Sequence, residues 1–413
     1  MPRLFDALAH RWAVMGLWFF ASVAGIMMAM SVGILLPSIS AELSLTPRHQ
    51  GFFGSSAFIG NLFLALPLSW WMSRYRPKML TTATLILGAM FLFIQGWAPS
   101  FVILLIGRLG YGIVTLAREP ARALLMPQWF APREFLVVNS VYNALFGIVV
   151  GGGLAATPFI LAIGGDDWRT VLFAFSVVLA GLTALWMIIG KERATASDTS
   201  QEPGGPFDLL IRVLKYRDLW ISGFGFMGAT MGWSAFLSFY PTLMLDANQI
   251  SLNWSGTILG VGILAGGIAG IALSYMVMAI DSDRRKNTIQ ALGILMAASY
   301  FGMTLLDSIP LLLIISALNG VAWGFWPILN SVPFYLPGIR VREVAVGLSV
   351  VMTLASLGTV LGPSMTGILQ EQFGDLRQAL QIVSIAPLAL AVAGMLLHIR
   401  TDRETVSQPE PID

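Results

Sequence analysis

The chain has 413 residues, 56% of them hydrophobic and only 11% charged, with a net charge of +2 and no cysteine. Soluble domains carry about a quarter of their residues as charges, so this composition excludes a soluble globular protein and leaves no sizeable segment for a soluble domain. Disulfides and thiolate metal sites are excluded, no cofactor motif is present, and the small net charge offers nothing to nucleic acid.

The predicted elements are twelve transmembrane helices, each close to the ~20 apolar residues that cross a bilayer. In chain order they cover 12–36, 50–72, 79–97, 101–128, 136–163, 169–190, 219–245, 254–280, 288–306, 310–336, 344–369 and 377–398. They are called spans 1 to 12 below. "MPRLFDALAHRW" runs into a first span too long for a cleavable signal, so span 1 itself is expected to target the chain. The longest polar interruption, 191–218, divides an N-terminal bundle (1–190) from a C-terminal bundle (219–400), followed by a polar tail (401–413). Within that linker Phe207, Leu210, Ile211 and Leu214 fall at helical spacing, away from Arg212, Lys215 and Arg217. This predicts either a short helix lying on the membrane surface or a solvated connector. Of the 24 basic residues, 18 sit in alternate loops, which places both termini and the linker in the cytoplasm and the protein in the inner membrane.

Span 4 is the exception to this sorting of charge. It holds Arg108, Arg118, Glu119 and Arg122 in an otherwise apolar run. On a continuous helix these four, with Tyr111 and Thr115, share a sector about 100° wide. A charge at the bilayer centre costs about 2.5–3.5 kcal/mol or more, so that face must meet protein or a watery cavity. Three humbler roles compete for these residues. Arg108 could serve packing or gating, Arg122 could snorkel to the interface, and Glu119 with Arg122 at i, i+3 could neutralise each other. On span 10, Asn319, Trp323, Trp326 and Asn330 likewise share a face, and span 7 adds Trp233 and Tyr240 seven residues apart. Guanidinium forks opposite indoles and amides suit a small organic anion, a carboxylate above all.

The two halves echo each other. Span 4 contains Pro120 and leaves through "PREFLVVN" (132–139); span 10 contains Pro327 and leaves through "VREVAVGL" (341–348). The loop "SRYRPK" (73–78) has its counterpart in "DSDRRK" (281–286). Duplicated halves with a midplane site between them are a common transporter plan.

Over essentially its whole length the chain resembles the major facilitator superfamily. The resemblance rests on Arg108, Gly112, Pro120, Trp129-Phe130, Arg133 and Glu134, on "DDWR" before span 6 and on "GTVLGPSMTG" (358–367) in span 11. It implies an all-α fold of two pseudo-symmetric six-helix bundles, with spans 1, 4, 7 and 10 around the translocation path. The family's loop between spans 2 and 3 carries an acid before its arginine. Here Ser73 stands before Arg74, and Asp281 or Asp283 supplies an acid in the second half. Among subfamilies span 4 resembles the organic anion permeases, including the anion–cation symporters. Their glutamate seven residues after the arginine is Thr115 here, and the nearest acid is Glu119.

The resulting expectation is a monomeric secondary transporter that moves a small organic anion by alternating access. Arg118 and Arg122 would grip the anion, and Arg108, Arg74, Asp281 and Asp283 would gate. Glu119 is the candidate carrier of a coupled proton. A drug–proton antiporter is the alternative, prompted by the glycine run "GIVVGGGLAATP" (147–158) of span 5. A transporter-like membrane sensor is a second. An enzyme is not expected, because no nucleophile–base pair appears.

Overall fold

A chain in hydrocarbon must satisfy every backbone N–H and C=O internally, which here leaves the helix as the solution. The computed structural model describes residues 2–72, 75–193, 211–278, 282–336 and 341–397, and no strand occurs among them. Among the described residues, ten helical segments are long and apolar enough to cross a membrane. Two further helices, Pro47–Met72 and Arg217–Asp246, stand where spans 2 and 7 are predicted. The second buries the hydroxyls of Ser222, Thr230 and Ser234 within the bundle, which lowers its apolarity. Most of the 191–218 linker, including Phe207 and Leu210, lies outside the described residues, as does the tail.

The duplication visible in the loops is repeated in the packing. Span 1 packs on span 5, span 2 on span 4 and span 3 on span 6; spans 7 and 11, 8 and 10, and 9 and 12 pair in the same pattern. The loops before spans 6 and 12 match as well. Asp167 caps Trp168–Ile189 by accepting from the Arg169 amide (2.9 Å), and Asp375 caps Leu376–Val383 through the Arg377 amide (2.8 Å). The two arginine side chains then tie neighbouring loops together, Arg169 to Glu42 and the Ala98 carbonyl, and Arg377 to Asn248.

Four predicted spans are not single helices. Span 1 divides at Ser31 into Pro2–Met30 and Val32–Leu43. Span 4 divides into Phe101–Thr115 and Arg118–Trp129. Span 10 runs as Ile309–Ala322, a 3-10 turn at Trp323–Phe325, and Trp326–Ser331. Span 12 divides into Leu376–Val383 and Leu388–Leu396. In the last three a proline is the cause, because it has no N–H for the carbonyl four residues earlier. Pro120 removes the partner of Leu116, and the chain tightens, with the Leu116 and Ala117 amides bonding the carbonyls three residues back. Pro327 and Pro387 do the same at Trp323 and Val383.

The halves meet along spans 2 and 11, spans 5 and 8, and the second part of span 1 with span 7. The glycine run of span 5 supplies one seam: Gly151 and Gly260 lie so close that a Cβ on either would strike the other's carbonyl. That contact is packing between halves. The tightest of the other contacts cluster where span 1 ends and span 2 begins. Gly33 lies against the Leu237 carbonyl, Gly51 against Pro363 and Gly367, and Ser55 donates to the Val360 carbonyl and lies 2.7 Å from Ser364.

At the opposite end of the first half, Arg11 pairs with Glu134 (3.0 Å), whose carboxylate also accepts the Ala131 amide at 2.9 Å. The amide, with the Arg11 guanidinium behind it, holds the Glu134 pKa below the ordinary carboxylate value. Since the charged form is the one held, this tie stabilises the fold above the ordinary value and is lost as pH falls through the lowered one. Glu134→Gln should therefore melt earlier than the wild type in detergent at neutral pH, with the gap closing as the solution is acidified. A gap independent of pH would show that the carboxylate charge contributes nothing.

Candidate functional site

The break in span 4 builds the site. It makes Arg118 and Glu119 the first two residues of a new 12-residue helix, so both stand at a helix N-terminus in the middle of the span. The amides at the kink stay bonded, those of Leu116 and Ala117 to the carbonyls three residues back, and the group that Pro120 leaves without its helical donor is the Leu116 carbonyl. Arg118 lies against Gly25 of span 1, where a Cβ would be 3.1 Å from its Nη2 and equally close to the Tyr111 hydroxyl. Tyr111 is buried and donates to the Gly25 carbonyl at 2.6 Å. Beside them Trp18, Ser22, Thr81 and Thr84 line, with Arg118, a cavity of about 20 Å³, room for a single water.

Arg122 lies one turn further on. It pairs with Glu119 at 2.7 Å and covers the ring of Tyr142 in span 5, 5.0 Å from its centroid. The Glu119 side chain is 66% exposed, so it faces open space rather than the interior. Arg118 has no acidic partner within ion-pair distance among the described residues. The cluster thus keeps one uncompensated guanidinium.

Arg108 and Thr115 do something else. Arg108 is 4% exposed and donates to the Ala29 carbonyl (3.1 Å) and the Phe53 carbonyl (3.4 Å) while lying over the Phe53 ring. It ties span 4 to spans 1 and 2. Thr115 returns its hydroxyl to the Gly112 carbonyl of its own helix.

In the second half the 3-10 turn of span 10 brings Trp323 and Trp326 to 6.0 Å, as the eclipsed i, i+3 geometry of that turn dictates. Trp233 meets Trp323 edge-on at 6.0 Å, and Trp326 meets Phe226 at 4.8 Å. Trp233 also touches Phe58 of span 2 at 6.2 Å, across the boundary between the halves. Asn330 is half-buried on the short helix after the turn. Two candidates point elsewhere. Asn319 is buried and donates to Ser299 of span 9 (3.0 Å), and Tyr240 is fully buried against Phe236. Ser73, Arg74 and Asp281 lie outside the described residues, as does the side chain of Asp283.

Residues 17–348 match the model of the Major Facilitator Superfamily. The chain belongs to the major facilitator superfamily. It is a multi-pass membrane transporter with that superfamily's all-helical fold. A solved structure of a variant of the nucleoside transporter NupG superposes with a TM-score of 0.78 at 13% identity, covering 94% of this chain and 99% of that one. Among curated relatives, the "Hexuronate transporter" of Bacillus subtilis is 22% identical over 95% of this chain and 94% of its own. The "Probable galactarate/D-glucarate transporter GarP" of Escherichia coli is 21% identical over 86% and 87%.

Gly25, Tyr142 and Phe58 escaped the sequence reading, as did Phe226 and the cavity-lining Trp18, Ser22, Thr81 and Thr84. Gly25 is one of three glycines in span 1, and Tyr142 and Phe58 are each one of several aromatics in spans 5 and 2, so each becomes meaningful only through its neighbour on another span.

Proposed function

We propose that this protein carries a small organic anion, a sugar acid or related carboxylate, across the inner membrane by alternating access. The observation that carries this reading is Arg118, beside Tyr111 at the proline kink of span 4 inside the membrane, with no acidic partner among the described residues. A guanidinium with no carboxylate of its own can take the substrate's carboxylate in a bidentate fork. Arg118 and Arg122 grip the carboxylate, and Trp233, Trp323 and Trp326 cover the remainder of the molecule. The relatives whose names specify sugar acids support the same class. With both termini cytoplasmic, the contacts at Gly33, Gly51 and Ser55 close the outer end and the site opens inward. Uptake of labelled sugar acids and other carboxylates into proteoliposomes is the test. Competition should come from carboxylates and not from the matching neutral amides; equal competition by the amides would remove the anion site.

Coupling is assigned to the Glu119–Arg122 pair. An arriving carboxylate takes Arg122, and the released Glu119 accepts a proton, so one proton accompanies one anion. Glu119→Gln should then abolish accumulation driven by a pH gradient and keep counterflow exchange. If the variant still accumulates substrate on a pH gradient alone, Glu119 merely neutralises Arg122 and carries no proton.

A further inference from the structure

The point where the linker enters span 7 has no part in the transport reading. Val213 and Leu219 are fully buried and anchor the segment, while Ile211, Leu214, Trp220 and Phe224 expose between 37% and 47% of their surface. The Trp220 indole N–H donates to the Leu214 carbonyl at 2.9 Å, folding the end of the linker onto span 7, and its ring lies 6.2 Å from Phe224. Around this apolar face stand the exposed cations Arg212, Lys215 and Arg217. Arg212 approaches Glu343 at 3.4 Å yet keeps half its side chain exposed, and Asp218 is the other nearby acid.

From this juxtaposition we infer that residues 211–224 form a binding site for the headgroup of an anionic phospholipid. Trp220 sits at the end of a transmembrane helix, where amphipathic rings mark the level of the headgroups, and the apolar Phe224 ring lies beside it. Exposed aliphatic side chains there meet acyl chains, and lysine and arginine at the same level meet phosphate. A soluble anion would use the cations and leave the apolar face idle; a lipid uses both. Lys215 and Arg217 provide the attraction, and Arg212 turns its exposed guanidinium N–H groups to the phosphate while its Nε stays near Glu343.

Trp220 reports on the site directly. The full-length protein is placed in nanodiscs of mixed phosphatidylglycerol and phosphatidylcholine, with bromine on the acyl chains of one lipid or the other. The signal lost in Trp220→Phe isolates this indole from the other tryptophans. Brominated phosphatidylglycerol should quench it as if enriched at least about fivefold over its bulk share, the gain expected from one basic side chain near the headgroups. Changing Arg212, Lys215 and Arg217 together to Gln should abolish the enrichment. Removing three charges at Arg76, Lys191 and Arg193 should leave it intact. Equal quenching by the two lipids overturns the inference, as does equal loss in both triple variants. Soluble glycerol phosphate that displaces the lipid at matched concentration would make this a site for a soluble phosphate ester and overturn the lipid assignment.

Discussion

Gly33→Leu should abolish transport while leaving a folded protein held open at the end where span 1 meets span 7. The backbones touch there: a Cβ on Gly33 would lie on the Leu237 carbonyl, and a main-chain atom inside a packed helix cannot swing aside. Overpacking costs about 1–3 kcal/mol even where side chains can adjust. A penalty of about 3 kcal/mol borne only by the closed state shifts a two-state equilibrium on the order of 100-fold. A carrier that cannot close one end cannot open the other, so turnover should fall by at least that factor. The chain contains no cysteine, so Ser364→Cys introduces a single reporter in the seam with Ser55. With Gly33→Leu it should label rapidly with a membrane-impermeant maleimide, and with Gly33 intact slowly. Gly16→Leu is the control, since a Cβ at Gly16 on the same span meets nothing within 4 Å. Near-normal transport by Gly33→Leu would mean that this contact is not the seal.

Arg118→Lys is the second large effect expected, an apparent affinity for the anion weaker by roughly 10- to 100-fold. A hydrogen bond to a charged group contributes about 1.5–3 kcal/mol, and a lysine ammonium keeps the charge but loses the planar fork that meets a carboxylate bidentately. Arg118→Ala should be worse, because the binding cation itself is gone. Gly25→Ala should act in the same direction more weakly, since its methyl group would press on the guanidinium and on the Tyr111 hydroxyl together. Saturable uptake measured at matched expression separates these cases. Arg118→Ala with wild-type kinetics would end the anion site, whatever the other variants do.

The Glu119→Gln result bears on a different link. Loss of substrate binding in Arg118 variants with coupling intact in Glu119→Gln would keep the anion site on the guanidinium cluster and move the proton to a residue other than Glu119.

Much of this protein was legible in its composition and spacing. Apolar runs and loop arginines gave the helices and the duplicated plan, because hydrocarbon admits so few backbone solutions that hydropathy and charge largely determine them. The prolines at 120 and 327 marked where spans 4 and 10 break, since a missing N–H acts on the residue four earlier whatever surrounds it. The candidate face was only half legible. Helical spacing assigns a shared face while the helix keeps about 100° per residue, and the tightened turns at 116–117 and 323–325 reset that phase. Arg118, Glu119 and Arg122 stayed together because all three follow the break. Asn319 precedes its break and turned to Ser299, and Tyr240 closed against Phe236 inside the second half. Tertiary structure alone decided that Arg108 binds the carbonyls of Ala29 and Phe53, that the span-5 glycines meet span 8, and which end of the molecule is closed. Each of these depends on a partner far away in the chain, and the pattern along one helix carries no information about which neighbour its face will meet.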